Sequence, residues 1–208
     1  MSLVTNWVVV AENELKLPEV PKCIPTTHRP IGNKLGRAVV SLLGWKVVGE
    51  IPEYPKAIYA VAPHTSNWDF VIGVAIMLTL NLKLKFMGKD AIFRWPFRKL
   101  LIKLGGIPID RRQKHGVVQQ MVEQFERHEQ LILALAPEGT RSKTKEWKTG
   151  FLSIAHLAKI PVVTVTFHYD KKELRFGKPH FIDADISQEL VRIKGAFSSA
   201  CAKNPQAV

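Results

Sequence analysis

The sequence predicts an α/β fold, a single domain in which helices cover a mixed, mostly parallel sheet. Two observations carry that reading. Apolar runs of strand length alternate with segments whose apolar residues recur at helical spacing, from residue 33 to the end of the chain. No internal repeat, low-complexity tract or linker interrupts the alternation, and 46% of the 208 residues are apolar, which suits one sizeable core.

The elements follow in order. Residues 1–32 carry Pro18, Pro21, Pro25 and Pro30 and read as an N-terminal arm with a short strand at 7–10. The domain proper spans 33–208. Asn33 is placed to cap a helix over 33–43, where Leu35, Ala38, Val39, Leu42 and Leu43 share one face and Gly44 is the stop. Strands are expected at 46–48 and 57–62, then a helix from Ser66 or Asn67 to about Leu80. A strand at 84–87 precedes a helix over 97–104, with Pro96 suited to its first position. There follow a strand at 107–109, a helix at 115–128, a buried strand at 131–136, a helix at 150–159 and a strand at 161–167. Residues 174–176 and 181–182 extend the sheet, and a helix over 187–203 closes the chain.

Charge narrows the partners. The formal net charge is +12, and a balance this basic favours an anionic partner: nucleic acid, an anionic membrane surface or a phosphorylated substrate. A nucleic-acid reader would interleave basic residues with stacking aromatics or carry a known reader motif. Neither is present, and Trp45, Trp68, Trp95 and Trp147 read as core or interface residues. The two cysteines, Cys23 and Cys201, make neither a disulfide framework nor a metal cluster, which fits a reduced, intracellular setting. His28, His115, His128, His156, His168 and His180 show no metal-ligand spacing. No signal peptide is read at the N-terminus. The most apolar segment, residues 70–80, is shorter than the roughly 18–20 residues of a membrane-spanning helix, so membrane association would be peripheral.

Three segments carry chemistry. The first is Pro63-His64-Thr65-Ser66-Asn67-Trp68-Asp69. His64 follows an apolar strand, and Asp69 falls in the first turn of the next helix. A strand-turn-helix can fold that carboxylate onto the imidazole, fixing its tautomer and supporting the imidazolium as it forms. The plainer alternative is an acid at a helix N-terminus and a histidine filling a turn. The second is Ala136-Pro137-Glu138-Gly139-Thr140-Arg141-Ser142, directly after the buried strand. Loops at strand ends are where the sites of open α/β sheets collect; a solvated surface turn is the alternative. The third is Gly105 to Arg112, a short apolar strand ending in Asp110-Arg111-Arg112, whose guanidinium forks match phosphate oxygens; an exposed charged turn is the alternative.

Taken together and in this order, the segments resemble the motifs of the glycerophospholipid acyltransferase family, which includes the 1-acylglycerol-3-phosphate acyltransferases. His64, Ser66 and Asp69 fit its His-x-x-x-x-Asp motif. Gly106 to Arg111 fits its Gly-x-x-x-x-Arg segment, Pro137 to Ser142 its Pro-Glu-Gly-Thr-Arg-Ser motif, and Ile160-Pro161-Val162-Val163 its apolar fourth motif. Lys148-Thr149-Gly150 matches a Lys-x-Gly common after the third. The resemblance covers about residues 35–185. The departures are Pro63 where many members have Asn, Ala136 where many have an aromatic, and Thr164 where a second Pro is frequent.

The resemblance implies a glycerol-3-phosphate acyltransferase-like fold and transfer of an acyl group from acyl-CoA or acyl carrier protein to a lyso-lipid hydroxyl, by default that of lysophosphatidic acid. His64 would be the general base and Asp69 its orienting partner, with no acyl-enzyme, metal or organic cofactor. Arg111, Glu138, Gly139, Thr140, Arg141, Ser142 and Lys148 would serve the acceptor or its phosphate. Glu138 would hold acceptor hydroxyls or position an arginine, and the Gly139 backbone is a candidate donor to the oxyanion. A non-phosphoglyceride lyso-lipid or another alcohol as acceptor, and hydrolysis of the thioester or lipid, stay open.

A peripheral membrane enzyme on the inner face of the cytoplasmic membrane would suit the same resemblance. Between Lys83 and Lys114 ten basic residues stand against only Asp90 and Asp110. Within that stretch Phe97, Leu100, Leu101 and Leu104 share a helical face flanked by Arg98, Lys99 and Lys103. The pattern serves an interfacial helix on anionic lipid and a surface helix packed on the core alike. The amphipathic helix at 33–43 is a second candidate.

Overall fold

The computed structural model describes residues 15–109, 114–144, 146–197 and 202–207. The expected strand at 7–10 and the Asp110-Arg111-Arg112 triplet lie outside them. The described elements run α1 (Pro30–Leu43), β1 (Lys46–Val48), β2 (Lys56–Ala62), α2 (Asn67–Thr79), β3 (Leu84–Lys89), α3 (Arg98–Lys103), β4 (Gly106–Ile109), α4 (Lys114–Arg127), β5 (Leu131–Leu135), α5 (Gly150–Ala158), β6 (Val162–His168), β7 (Glu173–His180) and α6 (Ile186–Gly195).

The strands form one seven-stranded sheet in the order β1-β7-β6-β2-β5-β3-β4. All neighbours pair in parallel except β6 and β7. Parallel strands need helical crossovers, and these cover both faces. The alternation along each strand divides the core in two. Ala57, Tyr59, Ile132, Val163, Val165 and Phe167 pack toward α1 and α2. Ile58, Ala60, Leu131, Leu133 and Val162 pack toward α4, α5 and α6. Ile24 joins the first core, and Thr26 bridges Leu82.

Four local expectations are corrected. Helix α1 begins at Pro30, with Pro in the first turn and no side-chain cap. The Asn33 amide instead donates to Thr79 O at 2.7 Å, tying α1 to the end of α2. Pro96 lies in a turn before α3 rather than at its first position. Residues 181–182 add no strand, because β6 begins at Val162, which already pairs with His180, and has no further backbone to offer. Helix α6 stops at Gly195 rather than running to 203. The chain turns there and packs Phe197 on Trp147, with ring centroids 5.4 Å apart.

Helix α1 crosses α2 closely. A Cβ on Gly36 would stand 2.6 Å from Ala75 O and 2.8 Å from Thr79 N, both backbone atoms that move only with the helix. Gly36→Val is therefore expected to destabilise the protein. Overpacking of this kind costs about 2 kcal/mol, roughly a 4–8 °C fall in Tm for a chain of this size. Thermal denaturation followed by circular dichroism checks it, and an unchanged Tm would contradict the close crossing.

Among the described residues no helix is long and apolar enough to cross a membrane. Helix α3 and its flanks divide the apolar face expected of them: Leu101 is buried and Leu104 half-buried, while Phe97 and Leu100 stay exposed, as does Ile102 off that face. The neighbouring Trp95 is 91% exposed. On α1, Ile31, Leu35 and Leu42 are exposed beside Lys34 and Arg37.

Candidate active site

Strands β6, β2 and β5 lie side by side and run the same way, with Ala62 level with Thr166 and Ala60 level with Leu135. Their carboxyl ends therefore share one edge of the sheet, where ligands of open α/β sheets gather. Three polar side chains leave the chain just past those ends: His64 after β2, Glu138 after β5 and Tyr169 after β6.

The turn after β2 is built around Asp69. Ser66 caps α2, accepting from Trp68 N at 3.1 Å, and forms a reciprocal capping box with Asp69. Asp69 Oδ2 accepts from Thr65 N at 2.9 Å and Ser66 N at 2.8 Å. The same oxygen lies 3.2 Å from His64 Nδ1. The other oxygen accepts from the Tyr169 hydroxyl. So the bland reading of Asp69, an acid at a helix start, is correct as far as it goes, and the same carboxylate also holds the imidazole.

The Asp69 side chain is 1% exposed and that of His64 20%. Burial pushes the Asp69 pKa up, but hydrogen bonds from His64, Tyr169 and Ser66, with the attraction of His64, outweigh it and hold the carboxyl below its usual range. Burial and the bond to Asp69 push the Tyr169 phenol up, so it stays a donor across the working pH range.

Glu138 Oε2 accepts from the His64 backbone N–H at 3.0 Å. Its pKa is raised by burial, against the lowering effect of that bond. Through this bond Glu138 braces the turn that carries the histidine. Gly139 takes a positive φ of 65°, a conformation suited to glycine, and closes the turn through its N–H to Ala136 O at 3.1 Å. That N–H is engaged, so in this arrangement it is not the oxyanion donor that the sequence suggested. Thr140 Oγ1 accepts from Ser142 N, and Lys148 N donates to Pro137 O. Arg141 and Ser142 line a second cleft, together with residues 203–206. Arg111 lies outside the described residues.

His64 and Asp69 stand at the mouth of a cavity of ≈ 180 Å³ between α2 and the sheet. Apart from that mouth its walls are almost wholly apolar, with Phe70, Gly73 and Met77 from α2 facing Val61, Phe86 and Phe167 from the strands. An imidazole held by a carboxylate thus borders an apolar slot, an arrangement suited to moving a proton beside a bound hydrocarbon.

Sequence reasoning missed two residues of the site. Tyr169 is 100 positions from Asp69, and Asn204, 139 positions from Thr65, donates to it twice. A lone Tyr after a strand and an Asn in a polar tail carry no local signal.

Known proteins are similar to this chain. The Acyltransferase family matches residues 46–168. Over 136 residues the chain is 34% identical to a "Probable 1-acyl-sn-glycerol-3-phosphate acyltransferase" of Mycoplasma pneumoniae, covering 59% of this chain and 49% of that protein. The chain thus spans about half the length of this curated relative. In fold it is similar to the 1-acyl-sn-glycerophosphate (LPA) acyltransferase PlsC from Thermotoga maritima, with a TM-score of 0.56, 21% identity, and coverage of 79% of this chain and 76% of that one.

Proposed function

This chain belongs to the acyltransferase family, and from that premise we propose that it moves a fatty acyl group from acyl-CoA or acyl carrier protein to a hydroxyl of a lyso-lipid, lysophosphatidic acid by default. The observation that carries this reading is the His64–Asp69 pair, 3.2 Å apart, at the mouth of the apolar cavity. The relative from Mycoplasma pneumoniae bears the name of that activity.

The chemistry follows from the geometry. Nδ1–H of His64 donates to Asp69, which leaves the Nε2 lone pair for the acceptor. Nε2 takes the proton of the acceptor hydroxyl as its oxygen attacks the thioester carbonyl. The tetrahedral intermediate expels the thiolate, and the imidazolium returns the proton to it. No bond forms between the acyl group and the protein. The apolar cavity holds the hydrocarbon tail, where burial supplies about 0.8 kcal/mol per CH₂.

The enzyme works, on this reading, as a peripheral protein on the inner face of the membrane. The exposed apolar residues of α1 and of the α3 region, flanked by Lys34, Arg37, Arg98 and Lys99, suit insertion among anionic lipids. The test is incubation of the purified protein with lyso-lipids and acyl thioesters, read by mass spectrometry. Acylated lyso-lipid is the expected product. Free fatty acid formed equally fast with and without acceptor would make the protein a hydrolase instead.

Tyr169 is a positioning residue in this scheme, acting on His64 through Asp69. Its hydroxyl withdraws charge from the carboxylate and fixes its plane. Tyr169→Phe keeps the ring against Trp45 and Phe167. It is expected to lower kcat by about tenfold, the scale of one hydrogen bond to a charged group, with KM little changed. A kcat that stays at the wild-type value would leave Tyr169 a packing role only.

A further inference from the structure

Beside the catalytic turn lies a second cleft, of ≈ 750 Å³ and quite unlike the acyl cavity. One wall is the loop after β5, with Arg141, Ser142 and Lys143. The other is the segment 202–207, with Lys203 and Asn204. Among the described residues no acidic side chain lines it.

Both walls are fastened to consecutive residues of the catalytic turn. Glu138, three positions before Arg141, holds the His64 N–H. Asn204 donates from its backbone N to Thr65 Oγ1 at 3.2 Å and from Nδ2 to Thr65 O at 3.0 Å. The Lys203 ammonium sits 4.9 Å from the ring centroid of Trp68, in the first turn of α2. The cleft is thus set next to His64 by three separate contacts.

Isolated surface lysines are simply solvated, and their charge says little. Here Arg141, Ser142, Lys143 and Lys203 border one open cleft, and the tether at Thr65 keeps Lys203 beside the loop that carries Arg141. Cations brought together in this way repel unless an anion joins them. A planar fork with point charges around it matches a phosphate ester.

We propose that Lys203, held in place by Asn204, completes with Arg141 a binding site for a phosphate ester beside His64. Segment 202–207, which lies outside every motif that identified the site, is then part of the substrate-binding apparatus. The proposal deepens the acyl-transfer reading and rests on it for the source of the phosphate, which is either the lyso-lipid headgroup or the phosphates of CoA.

The test is calorimetric titration of the full chain with lysophosphatidic acid below its micelle concentration and, separately, with CoA. Wild type is compared with Lys203→Met, and monoacylglycerol and pantetheine serve as phosphate-free counterparts. The wild type is expected to bind at least one phosphate ester. Lys203→Met should weaken that ligand about tenfold, the effect of one charge-assisted contact, and leave its counterpart unchanged. Weakening confined to lysophosphatidic acid assigns the cleft to the acceptor, and weakening confined to CoA assigns it to the donor. Lys203→Arg should restore most of the affinity, and Asn204→Leu should weaken the same ligand by freeing Lys203. If Lys203→Met binds both esters within twofold of wild type, or wild type binds neither, the site is refuted. Binding without any acyl transfer would remove the enzymatic reading and leave the phosphate site standing.

Discussion

His64→Ala is expected to leave a folded protein whose acyl transfer has fallen by about 10²–10⁴-fold, the usual contribution of a positioned general base. Its imidazole is partly exposed, so removal costs little stability. Asp69→Asn is the sharper companion. The amide oxygen can keep the Thr65, Ser66 and His64 donors, while its NH₂ turns to Tyr169, whose hydroxyl rotates to accept. Geometry survives and the negative charge is lost. Support for the imidazolium disappears with it, and turnover should fall by about 10²-fold or more. Steady-state rates with an acyl thioester and a lyso-lipid read both variants. Wild-type turnover in a folded His64→Ala protein would end the proposed mechanism.

The Asp69 variant also carries a stability signature. Because the folded-state pKa of Asp69 lies below its usual value, the stabilisation it gives is complete above the ordinary carboxylate range. It is lost as pH falls through the depressed folded value. Asp69→Asn has no proton to gain, so its stability should depend less on pH on the acid side. Denaturant midpoints for both proteins across that range measure the difference.

What could be read in the sequence was what is local. His64 and Asp69 are five positions apart, and a strand, a turn and a capped helix suffice to join them. The Pro137–Ser142 loop was legible because a buried strand stops abruptly before it. Partnerships across the fold were not legible. Glu138 reaches His64 only because β5 lies next to β2, a neighbour 74 residues away. Asn33 has the chemistry of a helix cap, yet Pro30 already starts α1, and its amide bonds the end of α2 instead. Local propensity proposes and tertiary contacts decide. The apolar cavity is of the same kind. The alternation of Tyr59, Val61, Val165 and Phe167 predicts an apolar face, but whether a helix fills it or leaves a slot depends on the residues that helix turns inward.

Gly73 is the residue on which that slot depends most simply. It lies on α2 and lines the cavity, and a Cβ built there meets only the Phe167 ring tip, at 3.7 Å, an ordinary contact. Gly73→Leu is therefore compatible with the fold, and helix propensity favours it by up to about 1 kcal/mol. Its side chain must then take space that a hydrocarbon tail would fill. Forcing a long chain past it costs about 1.4–2.7 kcal/mol, within the usual range of overpacking, or roughly 10–100-fold in rate. A short chain ending before residue 73 is not affected. Palmitoyl donors should thus lose about 10–100-fold in kcat/KM, and octanoyl donors should stay within a few-fold of wild type. Competition between the two thioesters in one reaction, read by mass spectrometry, measures the ratio directly. An equal loss at both lengths would mean that Gly73→Leu disturbs the His64 turn and that the acyl chain lies elsewhere.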